Sequence, residues 1–270
     1  MASAELHLDS LLARGRGTFS SVDTQDALGR SSEAFRSATK RLKKKHLIAS
    51  PWRNFFIILR PEDRISGAPD PARWIDQLMK HIGVDYRVSL LRAASLHGSS
   101  HQASMVFQVV VPKQLRSFEI GRHNIQFLFQ HPDAFVEVNR APWIIQLKSD
   151  TGFANAAGIE LTLLDSIRYF HKAAGINGVA QIVRDIGAKA SSRRLAQAAQ
   201  VYEASAVRRL GYLLEHFGHT KQARALLPFA EKAKSLKPLD PSTKAYLVGE
   251  APPISTKWRL ILNQPIEVDD

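Results

Sequence analysis

The chain has 270 residues, of which 44% are hydrophobic, and this is ample for two or three packed domains. It contains no cysteine, which excludes a disulfide framework, a thiol nucleophile, an iron-sulfur cluster and a cysteine-ligated zinc site. No apolar run approaches the roughly 20 residues that cross a bilayer, so we expect a cytoplasmic protein with no membrane association, and the formal net charge of +12 favours a polyanionic partner.

The first 60 residues predict three helices followed by a hairpin. Residues 4–14 form a first helix with an apolar leucine face, and Ser21 is a suitable N-cap for a short helix over residues 22–28. After a turn at residues 29–31, Ser31 or Ser32 caps a further helix that runs to about residue 46. Residues 47–59 then read as two short strands around Pro51-Trp52-Arg53-Asn54, which is typical of a hairpin wing.

The positive charge is concentrated in this segment. Residues 30–60 contain nine Lys/Arg against one acid, Glu33, which is a net +8 of the chain's +12. In the helix that Ser31 or Ser32 caps, a rotation of 100° per residue brings Phe35, Ala38 and Leu42 to one side, while the cations fall on the other sides. A basic helix beside a basic hairpin is typical of a winged helix-turn-helix that meets DNA phosphates. The alternative is an ordinary solvated helix whose cations suit the helix dipole.

If DNA is bound, the first half of this helix is expected to read base edges, its second half to contact phosphates, and the hairpin tip to contact the minor groove or backbone. The candidate DNA-binding residues are Arg30, Ser32, Arg36, Ser37, Lys40, Arg41, Lys43, Lys44, Arg53 and Asn54.

Residues 66–71, Ser-Gly-Ala-Pro-Asp-Pro, are rich in helix and strand breakers and predict a linker. We therefore expect a DNA-binding domain over residues 1–65 and an α+β domain over residues 66–270. The second domain is predicted to be sheet-rich over residues 84–150, helical over 159–235 and to end in strands within 244–263. Residues 105–111, 117–120, 124–129, 135–138 and 143–147 are the expected strands of its sheet.

No pattern in the chain supports catalysis or a cofactor. His97 and His101 are spaced as metal ligands on a helix, but Gly98-Ser99-Ser100 interrupts that helix and nothing completes the coordination shell, so no metal site is expected. Asp133 and Glu137 resemble the acidic pair of a nuclease only faintly. We expect a protein that is not an enzyme and needs no cofactor.

Several stretches, in this order, resemble the AbiEi-type antitoxins of type IV toxin-antitoxin and abortive-infection systems. After the predicted winged helix come residues 86–98 (YRVSLLRAASLHG), 107–112 (FQVVVP), 158–169 (GIELTLLDSIRY), 208–218 (RRLGYLLEHFG) and 258–263 (WRLILN). The resemblance implies a transcriptional autorepressor that also counteracts a cognate nucleotidyltransferase toxin in a phage-defence operon. Its implied partners are operator DNA with inverted repeats, bound by a homodimer or by cooperative loading, and that toxin.

Two other classes of function remain open. The first is an ordinary winged-helix transcriptional regulator with a C-terminal domain that senses a ligand or a protein. The second is a nucleic-acid-processing enzyme that the winged helix directs to its target. Within the matching stretches, Leu161, Leu164 and Ile167 have helical core spacing, whereas Asp165 and Arg168 are expected to be exposed and to form a local ion pair.

Overall fold

The computed structural model describes residues 4–28, 31–99, 106–243 and 252–268, with the side chains of residues 25–28 left out. Helices and sheets are mixed over these residues, which confirms the α+β class. None of the described helices has the length and apolar character needed to span a membrane.

Two compact units are formed by segments that alternate along the chain. The first unit comprises Met1–Arg87, Met105–Gln130 and Gln146–Asn155, and the second comprises Val88–Ser104, His131–Ile145 and Ala156–Asp270. The division expected after residue 65 does not coincide with the boundary between these units. It remains a proposal for the end of the DNA-binding segment.

The N-terminal segment of the first unit has the order helix, strand, helix, helix, hairpin. Its elements are α1 (Ala4–Ala13), β1 (Thr18–Ser20), α2 (Ser21–Leu28), α3 (Ser32–Lys44), β2 (Ile48–Trp52) and β3 (Phe55–Ile58). The three strands form an antiparallel sheet in the order β1-β3-β2. One apolar cluster joins helices and sheet, with the Phe56 ring 5.0 Å from Phe19 and 5.8 Å from Phe35.

A six-stranded sheet follows, with the strand order β6-β7-β5-β4-β9-β8. Its elements and neighbouring helices are α4 (Ile75–Ile82), β4 (Arg87–Val88), α5 (Leu90–Leu96), β5 (Val106–Val111), β6 (Phe118–Ile120), β7 (His123–Phe129), α6 (Pro132–Val138), β8 (Ile144–Ser149) and β9 (Gly152–Ala157). Strand β5 pairs along its full length with β7 in parallel, while β6 is antiparallel to β7.

The strand expected at residues 135–138 is wrong, since these residues belong to the helix α6. Pro132 occupies the first turn, where a missing amide costs nothing, and Asp133 suits the positive end of the helix dipole. Phe135 and Val138 are buried at a spacing of three, which is a helical spacing. Strand β9 was not predicted, because its small residues lack the β-branched character typical of a strand.

The expected linker at residues 66–71 is packed within the first unit. Ala68 and Pro71 are buried, and a Cβ atom at Gly67 would lie only 2.8 Å from the Cα atom of Gly121. The Ser66 hydroxyl donates to the carbonyls of Asp63 and Ala68, which closes the turn. The breakers therefore form a close-packed turn.

The helical part lies in the second unit. Its elements are α7 (Ile159–Arg168), α8 (Gly175–Ile186), α9 (Ser192–Ala198), α10 (Ala204–His216), α11 (Thr220–Glu231), β10 (Lys237–Pro238), β11 (Ile254–Ser255) and β12 (Leu260–Ile261). The three short strands form a sheet in the order β10-β12-β11. Of the segment 244–263, in which terminal strands were expected, residues 244–251 lie outside the described residues.

Candidate nucleic-acid interface

Helix α3 separates a packed side from an exposed basic side. Ser31 caps the helix by accepting a hydrogen bond from the Ala34 amide at 3.3 Å, so the helix begins where the sequence predicts. The buried residues are Phe35, Ala38, Thr39 and Leu42. The exposed candidates are Ser32, Arg36, Ser37, Lys40, Arg41, Lys43 and Lys44. The structure thus brings seven of the ten candidate residues onto the accessible sides of one helix.

The cations of this segment differ in whether an acid already neutralises them. Lys45 Nζ lies 2.6 Å from Glu5 Oε1, and Arg60 Nη1 lies 2.9 Å from Asp150 Oδ2. Within the described part of the chain, the five cations of α3 form no ion pair: Arg36, Lys40, Arg41, Lys43 and Lys44. Their charge is therefore available to a polyanion, whereas that of Lys45 and Arg60 is largely compensated.

The β2–β3 hairpin places the other two described candidates at its tip. Trp52 pairs with Phe55, which leaves Arg53 and Asn54 as the two loop residues, and both are exposed. Asn54 has φ +61°, a left-handed conformation that asparagine tolerates better than most residues. Lys43 Nζ lies 5.5 Å from the centre of the Phe56 ring, so the C-terminal half of α3 lies beside β3.

The tenth candidate, Arg30, lies outside the described residues. Two further residues, which were not predicted, contact the hairpin. His81 Nε2 lies 3.0 Å from the Arg53 carbonyl oxygen, and the Phe118 ring lies 6.1 Å from the Trp52 ring. Nothing in a single sequence signals these contacts, because 28 and 66 residues separate the partners.

The weaker sequence candidates do not assemble into a site. His97 Nε2 lies 2.9 Å from the Ala157 carbonyl, and His101 lies outside the described residues. Asp133 and Glu137 are exposed on α6, where Asp133 lies beside His131 and Glu137 beside Arg140. In the part of the chain that the structure describes, no three His, Asp or Glu side chains are grouped to hold a metal ion.

In the second unit, the stretches at residues 159–169 and 208–218 are mostly core. Asp165 is fully buried and accepts hydrogen bonds from the Ser89 and Tyr202 hydroxyls, both at 2.7 Å. The expectation that Asp165 is exposed is therefore wrong. Arg168 forms an ion pair with Glu203 at 2.9 Å, which no local spacing indicates.

Two buried arginines of α10 hold the C-terminal strands in the same unit. Arg208 Nη1 donates to the carbonyls of Ser235 and Arg259, and Arg209 Nε donates to that of Pro238. Burial lowers the pKa of both guanidinium groups. These residues of the matching stretches therefore stabilise the fold, and they present little surface to a partner.

Comparisons with known proteins agree with this architecture. Residues 87–216 match the family model described as the AbiEi antitoxin C-terminal domain, which confirms the resemblance to AbiEi-type antitoxins. The fold is similar to the crystal structure of the RV2827C protein from Mycobacterium tuberculosis, with a TM-score of 0.67 and 18% identity over 95% of this chain and 90% of that chain. At this identity the similarity shows the fold alone. No protein of curated function matches the chain significantly.

Proposed function

We propose, from the premise that this chain carries an AbiEi antitoxin C-terminal domain at residues 87–216, that it represses its own operon and counteracts a cognate nucleotidyltransferase toxin. This family is one of antitoxins and not of enzymes, and the match supports a role in a toxin-antitoxin system. DNA binding is assigned to a winged helix-turn-helix over residues 1–65, and antitoxin activity to residues 66–270.

The order of elements in the N-terminal segment supports the winged-helix assignment. Helices α2 and α3 are consecutive, and α3 has the position of a recognition helix, with the β2–β3 hairpin as the wing. The sheet order β1-β3-β2 places the wing strands on the same apolar cluster as α3. The observation that carries the proposal is the exposed basic side of α3, whose cations are free of ion pairs with described acids.

DNA contacts follow from this placement. The first half of α3, with Arg36, Ser37 and Lys40, is assigned to base edges in the major groove. Arg41, Lys43 and Lys44 contact phosphates, and Arg53 with Asn54 contacts the minor groove or backbone at the flank. Two copies, as a dimer or by cooperative loading, occupy the two half-sites of an inverted repeat.

Replacing Lys40 and Lys44 together by alanine tests the DNA-binding half of the proposal. We expect weaker operator binding, because Lys40 loses its base contact and Lys44 its phosphate contact, and a shallower salt dependence, because the lost phosphate contact reduces counterion release. The slope of log affinity against log salt is expected to flatten by roughly one unit per lost contact. Mobility-shift titrations at several salt concentrations, using DNA from upstream of the operon, measure both quantities.

The matched control replaces Lys232 and Lys234, two exposed lysines of the second unit, and so removes the same charge elsewhere. Equal losses of affinity in both double variants would indicate general charge attraction and contradict a specific role of α3.

Co-expression tests the antitoxin half. The chain is expressed together with the product of the neighbouring gene, and growth rescue and co-purification are scored in the same cells. Rescue with co-purification supports neutralisation by direct contact, and rescue without it supports an indirect route. A folded antitoxin that leaves growth inhibition undiminished would exclude this half of the proposal.

A further inference from the structure

The tip of the wing is fixed from two sides by hydrogen bonds to its backbone. The Asn54 carbonyl accepts from the Ser21 amide at 3.0 Å, and Ser21 begins α2. The neighbouring carbonyl, that of Arg53, accepts from His81 Nε2 at 3.0 Å, and His81 lies in the last turn of α4. Two adjacent peptide groups of the tip are therefore oriented by two different helices.

The His81 contact includes packing as well as a hydrogen bond. The imidazole ring lies 5.4 Å from the Phe55 ring, the residue that follows the tip. On the other side of the tip, the ring of Trp52 lies 6.1 Å from that of Phe118 on β6. Both partners follow residue 65 in the chain, so the proposed DNA-binding segment receives its wing contacts from residues beyond its own end.

We propose that His81 is a positioning residue for DNA binding, which orients the wing tip so that Arg53 and Asn54 meet the nucleic acid. This inference rests on the proposed DNA-binding function. A carbonyl oxygen only accepts hydrogen bonds, so the imidazole carries its proton on Nε2, as it does in the charged form and in one neutral tautomer. With the hydrogen bond in place, less conformational freedom of the loop is lost when DNA binds.

The proposal distinguishes His81 from a residue that only stabilises α4. If His81 acts by orienting the Arg53 side chain toward DNA, Arg53→Ala removes the DNA contact that His81 supports, although the carbonyl that accepts from His81 remains. The two substitutions are then non-additive, whereas substitutions at independent sites add. The control is the double-mutant cycle that combines His81→Ala with Lys40→Ala, because Lys40 lies on α3 and has no described contact with His81.

The experiment measures operator affinity and its salt dependence for His81→Ala, Arg53→Ala, Lys40→Ala and the two double variants. His81→Ala is expected to weaken binding by roughly two- to tenfold, the range of one net hydrogen bond. Arg53→Ala/His81→Ala is expected to bind DNA more strongly than the product of its single effects predicts, while Lys40→Ala/His81→Ala shows the product of its single effects. His81→Gln, whose amide nitrogen occupies a position close to Nε2, restores affinity.

Hydrogen exchange of residues 52–55 without DNA gives a second readout that does not depend on the proposed function. Faster exchange in His81→Ala, reversed in His81→Gln, supports the positioning contact. If the wild-type chain binds DNA and the Arg53/His81 cycle is additive, the inference is overturned while the proposed function stands. If the wild-type chain binds no operator DNA, the proposed function is overturned together with the role of His81 in binding, and hydrogen exchange reports the contact alone.

Discussion

At the scale of single residues, Gly211 in α10 shows how closely the second unit is packed. A Cβ atom at this position would overlap the ring of Trp258, which is 1% exposed and donates from Nε1 to Glu215 at 2.8 Å. The lack of a side chain at Gly211 therefore makes room for the tryptophan that closes the C-terminal end of the unit.

Gly211→Ala is expected to lower the free energy of unfolding by about 1–3 kcal/mol through overpacking. Helix propensity alone predicts a gain of roughly 1 kcal/mol, so the two effects have opposite signs. Urea unfolding measures the difference. Gly17→Ala is the control, because its Cβ atom would meet only Thr151 Cγ2 at 3.5 Å, an ordinary contact. A Gly211→Ala variant as stable as the wild-type chain would contradict the packing argument.

Residue roles were predictable from the sequence where they depend on neighbours along the chain. The exposure of Arg36 and Lys40 follows from helical periodicity, which a single sequence displays. The burial of Asp165 depends on Ser89 and Tyr202, which lie 76 and 37 residues away. The contact of His81 with the Arg53 carbonyl likewise joins residues that are far apart in the sequence, by 28 positions. Such long-range partners set the role of a polar residue, and no local pattern encodes them.

At the scale of elements, the helices were more predictable than the strands. The capping Ser31 and the apolar periodicity identify α3 within a few residues, and the segment predicted to be helical, residues 159–235, contains the helices α7 to α11. The short segments at residues 135–138 and 152–157 contain too few residues for a period to decide between helix and strand. Proline in the first turn was the overlooked signal for α6, since it favours helix initiation.

A cluster of ion pairs links several elements of the first unit. Asp150, in the turn between β8 and β9, lies 2.9 Å from Arg60 and 2.8 Å from Arg73, and Arg73 also lies 3.3 Å from Asp63. Burial alone would raise the pKa of Asp150, but the charges and hydrogen bonds of Arg73 and Arg60 outweigh it and lower the pKa below 3.8.

This pKa shift predicts an acid-sensitive contribution to stability. Since the folded state holds Asp150 below its ordinary pKa of 3.8, the contribution is complete at neutral pH and is lost as the pH falls through the lowered value. Asp150→Asn is therefore expected to reduce stability at neutral pH and to flatten its decline in acid. Chemical denaturation at a series of pH values measures this, with the exposed Glu62→Gln as control. Parallel pH profiles for wild type and Asp150→Asn would contradict it.

At the scale of the whole molecule, the alternating segments of the two units determine how the proposed functions can be separated. Removal of residues 1–65 would remove Phe55, Arg60 and Asp63, which contact His81, Asp150 and Arg73, respectively, in the same unit. Point substitutions of exposed side chains leave these contacts within the unit intact. The helix and strand breakers at residues 66–71 predicted a linker and did not indicate that such contacts cross it.

We expect the full-length chain with Lys40→Ala and Lys44→Ala to protect cells from the toxin as well as the wild-type chain does, although it no longer represses the operon. Both lysines are exposed on α3, so their loss leaves the apolar cluster intact. Growth rescue and a reporter fused to the operon promoter measure the two activities. Loss of protection by a folded variant at wild-type abundance would show that the two activities depend on one surface.

The segmented first unit also has a consequence for synthesis on the ribosome. The helices and wing of the N-terminal segment are translated first, but Gln146–Asn155, which completes their unit, is translated about 60 residues after Arg87. At roughly 5–20 residues per second, the nascent segment waits several seconds for its last partners. Arg60 lacks its partner Asp150 during this interval and Arg73 keeps only Asp63, so the nascent segment carries more uncompensated positive charge than the finished unit. Completion of the unit that carries the proposed DNA-binding surface is thereby coupled to translation of more than half of the chain.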